Sequence, residues 1–207
     1  MNRNHPAATR LVLAAAMMAA VCSSASIATV IAYDHLIAAS STLTPANVEH
    51  AEYVTLATGA TTLDSARFRM SFATPGSFSG TLFLSVYTDG GGAPGALLGS
   101  FSQPVVVAST ATFANFTGLG LGVPGSLWVS THFVGSTLAG VRLTLAAPTV
   151  GSVSTTRATR AGGTGGWTTT PGVDRWMEMS LTAVPTPGTT AVLAIACPLA
   201  ARRRRAR

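Results

Sequence analysis

The chain has 207 residues, 47% of them hydrophobic and only 10% charged, and its formal net charge is +6. That charge is carried by the ends: Arg3 and Arg10 near the start, and Arg202, Arg203, Arg204, Arg205 and Arg207 at the finish. Between them six arginines face seven acidic residues, a balance near −1, so the interior lacks the basic footprint of a nucleic-acid binder.

Residues 1–28 are expected to be a secretory signal peptide with a helical core. Arg3 and Arg10 form a positive n-region, and Leu11 to Val21 form an apolar stretch. Small residues follow, so cleavage is expected after Ala25 or Ala28. A lipoprotein reading through Cys22 is disfavoured by Val21, which stands where a small residue is needed. The alternative is an uncleaved N-terminal anchor.

Residues 29–183 are expected to form one domain, about 155 residues and long enough for a single core. Both cysteines, Cys22 and Cys197, lie outside it. The domain therefore has no disulfide, no thiolate ligand and no thiol nucleophile.

Period-two alternation recurs through this region. Phe68, Met70 and Phe72 alternate with Arg67, Arg69 and Ser71. Leu82, Leu84 and Val86 oppose Phe83, Ser85 and Tyr87. Residues 126–134 place Leu127, Val129, Thr131 and Phe133 on one face and Trp128, Ser130, His132 and Val134 on the other. Val141, Leu143 and Leu145 alternate with Arg142 and Thr144, and Met177, Met179, Leu181 and Ala183 with Trp176, Glu178, Ser180 and Thr182. Such segments read as half-buried antiparallel strands. Turn chemistry separates them at 74–76, 89–95, 122–125 and 162–166. The expected fold is all-β: an antiparallel β-sandwich, jelly-roll-like.

Catalytic and metal signatures are weak. Asp89 in its glycine-rich turn suits an Asx turn better than a calcium loop, because one carboxylate is too few. Glu49-His50-Ala51-Glu52 lacks the HExxH spacing and is expected at a solvated edge. No Gly-x-Ser-x-Gly elbow is present, and Gly118-Leu119-Gly120-Leu121-Gly122 fails the dinucleotide fingerprint at Val123. No cofactor and no metal are expected. Trp128, Trp167 and Trp176 are candidates for stacking on sugar rings if exposed, although core or rim packing is the commoner role of such aromatics in a sandwich. Dispersed acids such as Asp64, Asp89 and Glu178 leave a secreted hydrolase as a further alternative.

One interior stretch carries a resemblance. Leu84-Ser85-Val86-Tyr87-Thr88-Asp89-Gly90-Gly91-Gly92-Ala93-Pro94-Gly95-Ala96-Leu97-Leu98-Gly99-Ser100 resembles the strand–turn–strand signature of bacterial choice-of-anchor domains. Leu127-Trp128-Val129-Ser130 and Arg175-Trp176-Met177-Glu178-Met179 fit later strands of such a domain. The resemblance spans roughly residues 56–183 and implies an extracellular β-domain with no site residues to carry over.

Residues 184–207 read as an address. Val184, Pro185, Thr186 and Pro187 precede an uncharged apolar run from Thr189 to Ala201, which the arginine cluster closes. As a helix that run would span roughly 20 Å, short of a ~30 Å hydrocarbon core. Pro198 weakens it further, and the arginines would hold the terminus on the cytoplasmic side. The pattern resembles the PEP-CTERM sorting signals of bacteria, with Thr186 where glutamate is usual. The resemblance implies export machinery and an exosortase-like processing enzyme as partners, with transient retention in the inner membrane. Cleavage and delivery to the cell surface or an extracellular polysaccharide matrix would follow. The alternative is a basic terminus after a last core helix. The expected function is thus an exported, non-enzymatic surface protein, with a carbohydrate-binding module as runner-up.

Overall fold

The computed structural model describes residues 28–37, 42–45, 47–73, 75–135 and 138–184. The signal peptide up to residue 27, the motif prolines, the apolar run and the arginine cluster lie outside them, as do both flanking helices expected there. The described residues form strands and no helix, and none of them offers a helix long and apolar enough to cross a membrane.

The strands make two antiparallel sheets. The first orders β1 (Val30–Asp34), β13 (Met179–Val184), β4 (Thr61–Phe72), β9 (Ala139–Thr144) and β12 (Trp176–Met177). To it β2 (Thr42–Leu43) adds beside β9, and β7 (Thr112–Val123) beside β4. The second orders β11 (Thr168–Thr170), β10 (Ser152–Ala161), β3 (Val48–Thr55), β8 (Ser126–Val134), β5 (Ser77–Asp89) and β6 (Pro94–Ala108).

Alternation accounts for the core. Leu82, Leu84 and Val86 of β5, with Leu127, Val129 and Phe133 of β8, meet Phe68, Met70, Val141, Leu143, Met177, Met179 and Leu181 of the other sheet in one cluster. Side chains at every second position point the same way, so each strand commits one stripe to this layer. The result is β-sandwich-like.

Two local devices shape the sheets. Opposite Leu63 and Ser65 of β4 stand Leu121 and Thr117, so three residues of β7 face one of β4. Gly118 and Gly120 adopt φ of 67° and 56° there, a left-handed backbone that glycine enters without strain. The glycine run that fails as a nucleotide loop is therefore a bulge.

The second device is Glu178, where the chain leaves the β9 ladder and joins that of β4. Its backbone N–H donates to the Arg142 carbonyl, and its carbonyl accepts from the Arg69 N–H. Its carboxylate, fully buried, pairs with Arg69 at 3.3 Å and Arg142 at 3.4 Å. Both the backbone and the side chain of Glu178 thus hold the two ladders together.

A polar layer between the sheets

The strand β3 holds three polar side chains from one tetrapeptide, all buried: Glu49, His50 and Glu52. This corrects the expected solvated edge. β3 lies inside its sheet, between β10 and β8, and both its faces are covered. The alternation itself holds: Glu49 points outward, while His50 and Glu52 point inward.

On the inner face Glu52 Oε1 accepts from the Met177 N–H at 2.6 Å. Its Oε2 has no partner, nor has either ring nitrogen of His50, nor Arg157 Nε. Arg157 stands directly across from Glu52 in the β10–β3 register, and its Nη2 donates to the Arg175 carbonyl. Burial pushes the Glu52 carboxyl up to about 8, opposed by the Met177 N–H and the Arg157 charge. Burial pulls His50 down to about 3, with Arg157 adding to the shift. Both side chains are held neutral near pH 7 by desolvation.

Candidate functional site

The outer face of the six-stranded sheet carries the densest polar constellation. Glu49 of β3 faces Arg160 of β10 directly across the ladder. Arg160 Nε donates to Glu49 Oε2 at 2.6 Å, and Arg160 Nη2 donates to Tyr87 Oη at 2.7 Å. Tyr87 Oη in turn donates to Glu49 Oε1 at 3.0 Å, which also accepts from Ser130 Oγ at 2.5 Å. Arg160, Glu49 and Tyr87, from β10, β3 and β5, thus close a ring of charge-assisted hydrogen bonds, and Ser130 of β8 donates into it.

The Gly162–Gly166 turn and Trp167 roof one end of this ring. The Arg160 guanidinium lies 4.4 Å from the Trp167 ring centroid, and Trp167 meets Tyr87 edge-on at 5.5 Å. Gly163 is required for the close approach. Its φ is 71°, and a Cβ there would meet His132 Nδ1 at 3.1 Å and Glu49 Oε2 at 3.6 Å. Burial raises the Tyr87 phenol, with the Glu49 charge beside it acting the same way, and burial lowers His132.

Beyond the roof the ring opens into a cleft of about 350 Å³. Glu49, Tyr87, Arg160, His132, Ser85 and Ser100 give it a polar lining, and Phe83, Leu97 and Val134 an apolar one. Phe83 stacks on His132 at 5.9 Å between centroids.

The three tryptophans, candidates for stacking only if exposed, are placed differently. Trp128 is 1% exposed, packed among Ala51, Tyr87 and Ala158, with Tyr53 against it, and this corrects the expectation of an available face. The outer face of this sheet carries its own small core, so lying opposite the aliphatic stripe did not imply exposure. Trp167 is half-buried over Arg160, and Trp176 is half-buried against His35, with its Nε1 donating to the Ser154 carbonyl. The structure does not bring the three together on one surface.

The proposed acids are also dispersed in role. Asp89 Oδ1 accepts from the Gly92 N–H at 2.9 Å and from Trp128 Nε1 at 3.1 Å, which makes it an Asx turn and an indole cap. The Gly92 N–H, with Trp128 behind it, lowers the Asp89 carboxyl. Glu178 is held by two arginines on the other sheet. The cleft described above has Glu49 as its one carboxylate, and a second cleft, on the β1–β13–β4–β7 surface, has Asp34 as its one. Among the described residues no group of three His, Cys, Asp or Glu side chains is placed to hold a metal ion.

No protein family, no characterised protein and no solved structure matches this chain. The reading of the site rests on its own geometry.

Proposed function

We propose that the chain is an exported surface protein whose β-domain binds rather than catalyses. The sorting part of the proposal is carried by the tail: Val184, Pro185, Thr186 and Pro187, then the apolar run, then Arg202, Arg203, Arg204, Arg205 and Arg207. The N-terminal charged and apolar segment supports it, because a C-terminal retention signal acts only on an exported chain. The two-sheet domain suits this setting, and we read it as jelly-roll-like and similar to choice-of-anchor domains. Export machinery, an exosortase-like enzyme and, transiently, the inner membrane are the partners this reading implies.

The binding part is supported by the state of Glu49. A general base needs a free lone pair within reach of substrate. Here Ser130, Tyr87 and Arg160 fill three of the roughly four acceptor sites of the one carboxylate of the cleft, and Arg160 holds it in an ion pair, which disfavours a role as general base. Paired carboxylates of the glycosidase type need two such groups on one cleft.

Substituting Arg202, Arg203, Arg204 and Arg205 together by Ala tests the sorting. Fractionated cells should show the variant unprocessed or lost from the envelope. A variant processed and located like the parent contradicts the reading.

A further inference from the structure

We propose that the cleft on the outer face of the six-stranded sheet binds a neutral glycan, one or two sugar rings long. This deepens the surface-protein reading, on which its biological setting rests. The chemistry of the cleft stands apart from it.

Three features point to a sugar. The first is apolar surface left exposed beside polar side chains. Phe83 is 36% exposed, Val134 44% and Leu97 55%, and all three line the same cleft. The C–H face of a pyranose is apolar and packs on such side chains, while its hydroxyls need donors and acceptors at the edge.

The second feature supplies those donors and acceptors. Ser85 and Ser100 stand opposite one another on β5 and β6, with hydroxyls 3.0 Å apart. Each hydroxyl has one donor and two acceptor sites, so the pair keeps unused capacity toward the cleft. Paired, fixed hydroxyls on neighbouring strands suit the vicinal hydroxyls of a sugar.

The third feature is charge. Glu49 and Arg160 are the acid and the guanidinium of the cleft, and they neutralise each other at 2.6 Å. An anionic ligand would find the guanidinium already engaged with Glu49 and Tyr87. A cation would find the carboxylate engaged by three donors. What remains is a site without net charge, which favours an uncharged polyol. Apart from the turn at Gly162 and Gly163 its walls are strands, so little ordering is needed on binding.

The volume of about 350 Å³ lies at the small end of the range for ligand pockets. Weak binding to a short stretch of a longer polymer follows, strengthened by many copies on one surface.

The test uses the protein purified from its native cells. Saturation-transfer NMR is run with cellotetraose, xylotetraose, maltotetraose and tetra-N-acetylchitotetraose, and with tetragalacturonic acid as the charged comparison. At least one neutral tetrasaccharide should receive saturation and the charged one should not. Phe83→Ala should weaken that binding about tenfold, the loss of one good stacking contact. Ser100→Ala should weaken it several-fold. Phe113→Ala, on the other sheet and 38% exposed, should leave it unchanged. Circular dichroism melts of each variant separate lost binding from lost fold. No transfer to any neutral sugar, transfer to the charged sugar alone, or equal binding by a folded Phe83→Ala protein each overturns the proposal. Localisation is not read in this assay, so a failure here leaves the export reading standing. Retention in the cytosol would sink that reading without touching this one.

Discussion

Replacing Glu49 by Gln removes one negative charge from a hydrogen-bonded ring and its Ser130 donor, which four strands share. Ser130 and Tyr87 can still donate to an amide oxygen, so the loss falls on Arg160. Its Nε, now 2.6 Å from a carboxylate oxygen, would face an amide NH₂ or stand unpaired. Breaking a buried pair costs about 3–5 kcal/mol, and a single hydrogen bond to a charged group about 1.5–3 kcal/mol. The Arg160 side chain keeps 19% exposure and its contact with Tyr87, which places the loss toward the lower values, about 2–3 kcal/mol. For a domain of this size that corresponds to a fall in Tm of about 5–10 °C. Urea denaturation of the parent, Glu49→Gln, Arg160→Gln and the double variant provides the assay, with m expected to stay constant. The double variant should be less destabilised than the sum of the singles by about 1 kcal/mol or more, since removing both charges leaves neither stranded. A single-variant loss below about 0.5 kcal/mol, or simple additivity, refutes the claim that the ring holds the outer face together.

Other outcomes follow from the same geometry. Glu178→Ala should cost about 3–5 kcal/mol, because Arg69 and Arg142 are left facing each other at the junction of two ladders; a loss under 1 kcal/mol in a urea melt removes that role. Glu52 titrates near 8 in the fold against an ordinary 4.5, so its contribution is full below about pH 4.5 and is lost as pH rises toward 8. His50 works in the opposite sense: at about 3 against 6.5, it contributes above pH 6.5 and loses as pH falls toward 3. Glu52→Gln should therefore remove the loss of stability that sets in as pH rises from about 4.5 to 8, and leave the His50 limb unchanged only below about pH 4.5; an unchanged slope over that window speaks against a buried neutral carboxyl. Gly163→Ala forces a side chain into a left-handed backbone and against His132, and should cost about 1–2 kcal/mol; a neutral effect in thermal melts contradicts the close approach.

The strands that sequence alternation places most securely are those with one plainly apolar stripe. Residues 126–134 form β8 with those same bounds, and Met177, Met179, Leu181 and Ala183 are all buried as their period implies. β6 and β10 carry a weaker signal, because half-exposed Ser, Thr, Val and Gly residues give little contrast between faces.

The candidate site was hidden for a different reason. The partners of Glu49 lie 38, 81 and 111 residues away, and only the strand order brings them together. One signal was nevertheless present. Glu49 and Glu52 are three apart, as are Arg157 and Arg160. In paired strands a spacing of three puts one pair on each face, and both pairs are found directly opposite in register. For the tryptophans, face parity gives direction and not depth. Trp128 points outward as its parity implies, yet Tyr87, Ala158 and Tyr53 cover it.

Delivery of this domain outside the cell is the central claim. Intact-mass analysis of the protein from fractionated native cells tests this most directly. The expected result is a chain in the envelope or medium that begins at Ser26 or Thr29 and lacks Arg202–Arg207. A cytosolic chain that still carries both the N-terminal segment and the arginine cluster would contradict it.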